Sequence, residues 1–202
     1  MRLNEEIIIA GFGGQGILSM GQTLSYAAIK EEKETSWMPS YGPEMRGGTA
    51  NCVVILSDTP VSSPIISEFD TAIVFNQPSL DKFENAVKPG GILLYEKSSI
   101  IRVPERTDIT VLGIPVLEEA EKLKKKQTAN MIMLGAYLEL KPVIGPEAII
   151  YALKKVLPER HHHLIPLNEQ AIERGKELVR ELTRKEARNG NAKESVYEYS
   201  AG

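Results

Sequence analysis

Glu6–Ile7–Ile8–Ile9–Ala10–Gly11–Phe12–Gly13–Gly14–Gln15–Gly16–Ile17 is the stretch that decides the fold. Glu6 to Ala10 is a short, largely β-branched apolar run, as expected of a strand buried on both faces. Glycines at 11, 13, 14 and 16 follow, and then Ile17 to Lys30 places Ile17, Leu18, Leu24, Ala27, Ala28 and Ile29 on one face at helical spacing. Strand, tight glycine turn and helix together open a doubly wound α/β fold of Rossmann-like start.

Working outward, residues 33 to 48 hold Trp37, Pro39, Gly42, Pro43, Gly47 and Gly48 with no sustained period, and so predict a long loop. Its aromatic and arginine content argues against disorder. Thr49–Leu56, Thr71–Phe75, Ile92–Tyr95 and Ile109–Leu112 read as further strands, with a turn at Lys88–Gly91. Helices are expected over Ser79–Val87, Glu118–Lys125, Thr128–Leu140, Pro146–Val156 and from an Asn168 cap to about Arg184. Strands alternating with helices predict a three-layer α/β/α sandwich around a mostly parallel sheet. One domain over residues 1–184 and a polar, flexible tail over 185–202 complete the expected organisation.

Composition narrows the function. The 202 residues are 42% hydrophobic and 25% charged, an ordinary globular balance that needs no disulfide or structural metal. A net charge of −3 offers no general attraction to nucleic acid or an anionic membrane. The single cysteine, Cys52, excludes an internal disulfide and any cysteine-ligated iron–sulfur cluster held by this chain alone. Ile7–Ala10 is too short for a signal or membrane-spanning segment, so a cytoplasmic protein is expected. Three consecutive histidines, His161–His163, cannot all face one metal from a regular element, and are expected in a solvated loop. Cys52 reads as an inert buried thiol, and Met131 and Met133 as core.

Gly11–Phe12–Gly13–Gly14–Gln15–Gly16 satisfies G-x-G-x-x-G between a strand and a helix. Such a turn lets the backbone approach an anion, and the helix behind it aims unpaired N–H groups and a partial positive charge at the same place. A phosphate or pyrophosphate is the natural occupant; a turn packed on a neighbouring chain is the alternative. A dinucleotide site also needs a second strand about 20 residues on, ended by an acid. That count lands on Glu34–Pro39, read as no strand, so the NAD fingerprint lacks its second half. The P-loop fails too, because no Gly-Lys-Ser/Thr closes the turn.

The long loop carries a more specific pattern. Met38–Pro39–Ser40–Tyr41–Gly42–Pro43–Glu44–Met45–Arg46–Gly47–Gly48–Thr49–Ala50–Asn51–Cys52 closely resembles the gamma subunits of 2-oxoacid:ferredoxin oxidoreductases, above all the 2-oxoglutarate and branched-chain types. Gly11–Gly16, Ser63–Pro64, Asn76–Ser79 and the spacing Asn168, Ala171, Gly175 fit the same family, over residues 6 to about 180. The resemblance implies a subunit of an enzyme that oxidatively decarboxylates a 2-oxoacid, 2-oxoglutarate first among the candidates, to an acyl-CoA while reducing ferredoxin. Thiamine diphosphate, Mg and the iron–sulfur clusters are then expected on partners: the alpha and beta subunits, or alpha, beta and delta. Pyruvate and indolepyruvate enzymes contain similar domains.

The chain itself would not act alone. The resemblance assigns it part of a CoA site, with Gly11, Gly13, Gly14, Gln15 and Gly16 as the phosphate turn. Tyr41, Glu44, Arg46, Gly47 and Gly48 would lie at a ligand or subunit interface, where Arg46 offers a planar five-donor fork. An internal pair between Arg46 and Glu44 is the alternative for that side chain. The fused enzymes of the family carry a lysine and an asparagine a few residues past the turn, where this chain has Gly21 and Gln22. Two other readings stay open: a stand-alone CoA- or nucleotide-binding module, and a purely architectural subunit.

Overall fold

A computed structural model describes residues 2–42 and 48–188. The chain runs β1 (Asn4–Phe12), α1 (Ile17–Lys30), β2 (Glu34–Tyr41), β3 (Thr49–Ser57), β4 (Phe69–Val74), α2 (Gln77–Phe83), β5 (Val87–Glu96) and β6 (Thr110–Ile114). It ends with α3 (Val116–Lys122), α4 (Ala129–Leu140), α5 (Pro146–Val156) and α6 (Ile165–Arg188). The six strands form one sheet in the order β2–β3–β1–β4–β5–β6. β1, β4, β5 and β6 are parallel neighbours, whereas β3 runs antiparallel to both β1 and β2. The α/β expectation holds, with an antiparallel hairpin added to a parallel half.

β1 sits in the middle of that sheet, and Ile7, Ile8, Ile9 and Ala10 are all buried. Full burial of each isoleucine is worth about 1.5–3 kcal/mol, which is why this run anchors the fold. Alternation divides the core in two. Ile7, Ile9, Cys52, Val54, Ile73 and Leu94 face α1 and the helices behind it. Ile8, Ala10, Val53, Ile55, Val74 and Leu93 face a thinner layer made of Leu80 and Phe83 from the α2 region and of loop residues such as Val61, Ile66 and Ile100. α4 is apolar on all sides and almost wholly buried, and its backbone meets α6 through two glycines. A Cβ on Gly135 would fall onto the Ile172 carbonyl, and one on Gly175 onto the Ile132 carbonyl.

Several boundaries differ from the sequence reading. Residues 34–41 are not loop but the edge strand β2. Pro39 hides it from a propensity reading, yet proline is tolerated on an edge. The Lys88–Gly91 turn lies inside β5, where Gly90 at φ 78° accompanies a register shift between the Phe69–Val87 and Thr71–Ile92 pairs. Asn168 is no cap: α6 begins at Ile165, and the Asn168 Nδ2 donates to the Leu164 carbonyl at 2.9 Å. The helix expected from Ser79 starts at Gln77, capped by Asn76, whose Oδ1 accepts from Ser79 N at 2.9 Å, and it tightens to a 3-10 turn at Glu84–Ala86. His161–His163 belong to a 3-10 turn over Glu159–Leu164 and not to an irregular loop. No helix among the described residues is long and apolar enough to cross a membrane.

Candidate functional site: the glycine turn

α1 lies on one face of the sheet and α2 on the other, so the chain leaves β1 and its neighbour β4 in opposite directions. That divergence opens a crevice at the carboxyl ends of the two strands, where ligands of open α/β sheets bind. The glycine turn sits in it. Gly14 and Gly16 have φ of 95° and 77°, a region that L side chains rarely adopt. A Cβ on Gly14 would meet nothing within 4 Å, so that residue faces open space. A Cβ on Gly16 would strike the side chain of Asn130, whose Nδ2 donates to the Gly16 carbonyl at 3.1 Å.

Three of the turn's N–H groups are occupied. Phe12 N donates to Gln15 Oε1 at 2.6 Å, Gly13 N to the Gly48 carbonyl at 2.9 Å and Gln15 N to the Phe12 carbonyl at 3.2 Å. The first helical bond is Met20 N to Gly16 O. Among the described residues, the N–H groups of Gly14, Gly16, Ile17, Leu18 and Ser19 have no acceptor, and α1 has no side-chain cap. These five donors lie at or just before the positive end of a 14-residue helix, an arrangement that suits an anion. Asn76, at the end of β4 beside the turn, is 3% exposed, and its Nδ2 has no partner.

The hairpin of β2 and β3 opens on the same edge. Tyr41 pairs with Ala50, which pairs with Gly11, so Tyr41 stands two strands from the turn, about 10 Å away at the usual strand spacing. Tyr41 is 63% exposed. Gly48 touches the turn directly through the bond from Gly13. Glu44, Arg46 and Gly47 lie outside the described residues. Glu34 is at the other end of its strand, opposite Ser57 and Asn4, roughly 25 Å from the turn at the usual rise per residue. A strand therefore does follow α1, but its acid is at the wrong end for a ribose. The dinucleotide reading fails on geometry.

Gly21, too, has a structural task. A Cβ there would lie 2.5 Å from Cys52 Sγ and 3.1 Å from Trp37 Nε1, so α1 rests on β3 and β2 at this point. Cys52 is fully buried, and its Sγ donates to the Ile17 carbonyl at 3.7 Å. Burial pushes the thiol up to about 12, against a weaker pull from the Trp37 indole and the Gly21 N–H. The indole N–H leans on the sulfur without completing a hydrogen bond. A thiol so placed is no nucleophile and no cluster ligand. Asn130 is not singled out by the sequence, and Asn76 enters there only as part of the family pattern Asn76–Ser79. The available signal was an amide at the start of an otherwise apolar helix, and one at a strand end before Gln-Pro.

The sequence profile of the pyruvate ferredoxin/flavodoxin oxidoreductase family matches residues 6–178. The chain belongs to that family. Ketoisovalerate oxidoreductase subunit VorA of Methanothermobacter thermautotrophicus is 41% identical over 86% of this chain and 36% of its own length. The chain thus spans about a third of that relative. The 2-oxoglutarate synthase subunit KorC of Methanocaldococcus jannaschii is 33% identical over 90% of this chain and 97% of its own. Among solved structures, the gamma subunit of a keto/oxoacid ferredoxin oxidoreductase from Geobacter sulfurreducens superposes with a TM-score of 0.74 at 29% identity, covering 88% of this chain and 99% of that one. The fold also recurs, at TM-score 0.79 and 24% identity, in 31% of a 2-oxoglutarate:ferredoxin oxidoreductase chain from Magnetococcus marinus, a structure with coenzyme A bound. Within this oxidoreductase family the domain therefore occurs both as a separate subunit and as part of a longer chain.

Proposed function

We propose that this chain is the gamma subunit of a 2-oxoacid:ferredoxin oxidoreductase and that its glycine turn binds the pyrophosphate of CoA. One observation carries the assignment: the N–H groups of Gly14 and of Gly16 to Ser19, at the carboxyl end of β1, have no acceptor among the described residues. The orphaned Nδ2 of Asn76 at the same edge supports it, as does the CoA in the Magnetococcus marinus structure of like fold. The chain holds and orients the acyl acceptor and forms no bond itself. Thiamine diphosphate, Mg and the iron–sulfur clusters belong to the alpha and beta subunits, which oxidise the 2-oxoacid and reduce ferredoxin. Cys52, buried and protonated, fits no cluster. Tyr41 and Gly48 contribute to the rim against ligand or partner.

Two substrates compete. The motif resemblance favours 2-oxoglutarate, and the higher identity to the VorA subunits favours the branched-chain acid ketoisovalerate. Turnover of the native complex with each acid decides between them. The CoA site is tested by titrating CoA into the assembled complex, with and without Gly14→Asp. Space at Gly14 is open, but its φ of 95° strains any side chain, so the stability of the variant complex is measured beside its affinity. Loss of two charge-assisted contacts weakens CoA at least tenfold, about 1.5–3 kcal/mol. Unchanged affinity makes the turn architectural.

A further inference from the structure

A groove of about 420 Å³ opens beside the first turn of α1, between the N-terminal end of α4, the C-terminal end of α5 and the start of α6. Its floor is apolar, with Met131, Leu153 and Leu164, and its rim carries Ser19, Lys125 and His161. The size is that of a small-molecule site. Asn130 belongs to both places: it lines the groove while its Nδ2 holds the Gly16 carbonyl. A ligand whose phosphates sit on Gly14–Ser19 would therefore continue into this groove.

The charge of the groove is unlike that of the chain. The protein has a net charge of −3, yet no carboxylate lines the groove among the described residues. Near the end of α3, Lys122 pairs with Glu119 and Lys126 with Glu121, whereas Lys125 has no carboxylate partner among the described residues. Its backbone is fixed from both sides. Lys125 N donates to the Ala120 carbonyl at 3.0 Å, and its own carbonyl accepts from Thr128 N at 3.0 Å and Thr128 Oγ1 at 2.8 Å. The preceding Lys124 is held at φ 55°, a conformation rare for a side-chain-bearing residue. At the facing rim, Arg160 Nε donates to His161 Nε2 at 3.3 Å.

An apolar slot with an unpaired lysine at its mouth, next to a pyrophosphate turn, suits a nucleotide that carries a separate monoester phosphate. We infer that the groove takes the 3′-phosphoadenosine end of CoA, with Lys125 pairing the 3′-phosphate. The inference rests on the CoA reading above and goes further by assigning a residue and a part of the ligand. The experiment is calorimetric titration of CoA and of 3′-dephospho-CoA into the native complex containing wild-type chain, Lys125→Gln or Lys125→Arg. Wild type prefers CoA over the dephospho form by about tenfold. Lys125→Gln loses that factor for CoA and leaves 3′-dephospho-CoA within about twofold, and Lys125→Arg restores the preference. Equal weakening of both ligands by Lys125→Gln, or no change for either, overturns the inference while the CoA site stands. Failure of both ligands to bind wild-type complex overturns the CoA site, and this assignment with it.

Discussion

At the N-terminal end of β1, Glu5 and Glu6 are enclosed in partners, whereas beyond its C-terminal end the N–H groups of Gly14 and of Gly16 to Ser19 have no acceptor among the described residues. Glu5 accepts from Thr71 Oγ1 at 2.6 Å and from Lys141 Nζ at 3.2 Å. Glu6 and Asp70 share Lys88, at 2.6 and 2.9 Å, and Glu6 N donates to Asp70 at 2.9 Å. The exception is the Tyr137 hydroxyl, buried there without a partner. Burial first, and then the charges of Glu5 and Asp70, push its pKa well up. At the other end, the N–H groups of Gly14, Gly16, Ile17, Leu18 and Ser19 and the Asn76 Nδ2 have no acceptor among the described residues. The polar groups of one end satisfy each other and hold the strands together. Those of the other are satisfied only in part, and the difference is that expected between a scaffold and an edge free to bind.

Substitutions at the two ends should therefore separate stability from binding. The largest effect is expected from Glu5→Ala. Its side chain is 4% exposed, and its removal leaves the Lys141 ammonium and the Thr71 hydroxyl without their acceptor, a loss of about 3 kcal/mol. Urea unfolding measures it, and CoA affinity of the assembled complex should not move. A coupled loss of affinity would break the division between the two ends.

Gly16→Ala comes next. Alanine at φ 77° costs about 1–2 kcal/mol, and the displaced Asn130 gives up a hydrogen bond worth about 1 kcal/mol. Both stability and CoA affinity should fall, because this residue shapes the turn as well as closing it. A variant that loses stability by that amount and binds CoA normally would move the glycine edge into the same structural class as the Glu5 edge.

How much of this contrast can be read in the chain depends on how local its causes are. β1, the glycine turn and α1 follow from periodicity and glycine placement, and α1 runs from Ile17 to Lys30 as its apolar face predicts. β2 escaped because its strand character comes from pairing with β3, against the local signal of Pro39. The site divided the same way. Gly14 and Gly16 are visible as glycines, and the contact of Gly48 with Gly13 agrees with the grouping of loop and turn. Asn130 joins Gly16 across 114 positions of sequence, and the closed cluster joins Glu5 to Lys141 across 136. No spacing rule reaches that far; only the packing of α4 against the turn places the amide.

The smallest effect separates charge from packing within the closed end. Burial lowers the Lys88 pKa, but its hydrogen bonds to Glu6 and Asp70 outweigh burial and hold it above the ordinary lysine value. A group whose pKa is raised on folding contributes stability fully below its unfolded pKa, near 10.4, and loses it as the pH rises through the folded value. Lys88→Met keeps the stem and removes the ammonium. Because the pair is partly solvated, the loss at pH 7 should be at most about 1 kcal/mol and should shrink in high salt. Above about pH 10.4, up to the onset of alkaline unfolding, the gap between wild type and variant should narrow as wild-type Lys88 gives up its proton. A gap that stays constant over that range would mean that the substitution acts through packing beside the irregularity at Gly90 and not through the charge of Lys88. The closed end would then be held by shape, and its contrast with the glycine edge would no longer be one of charge.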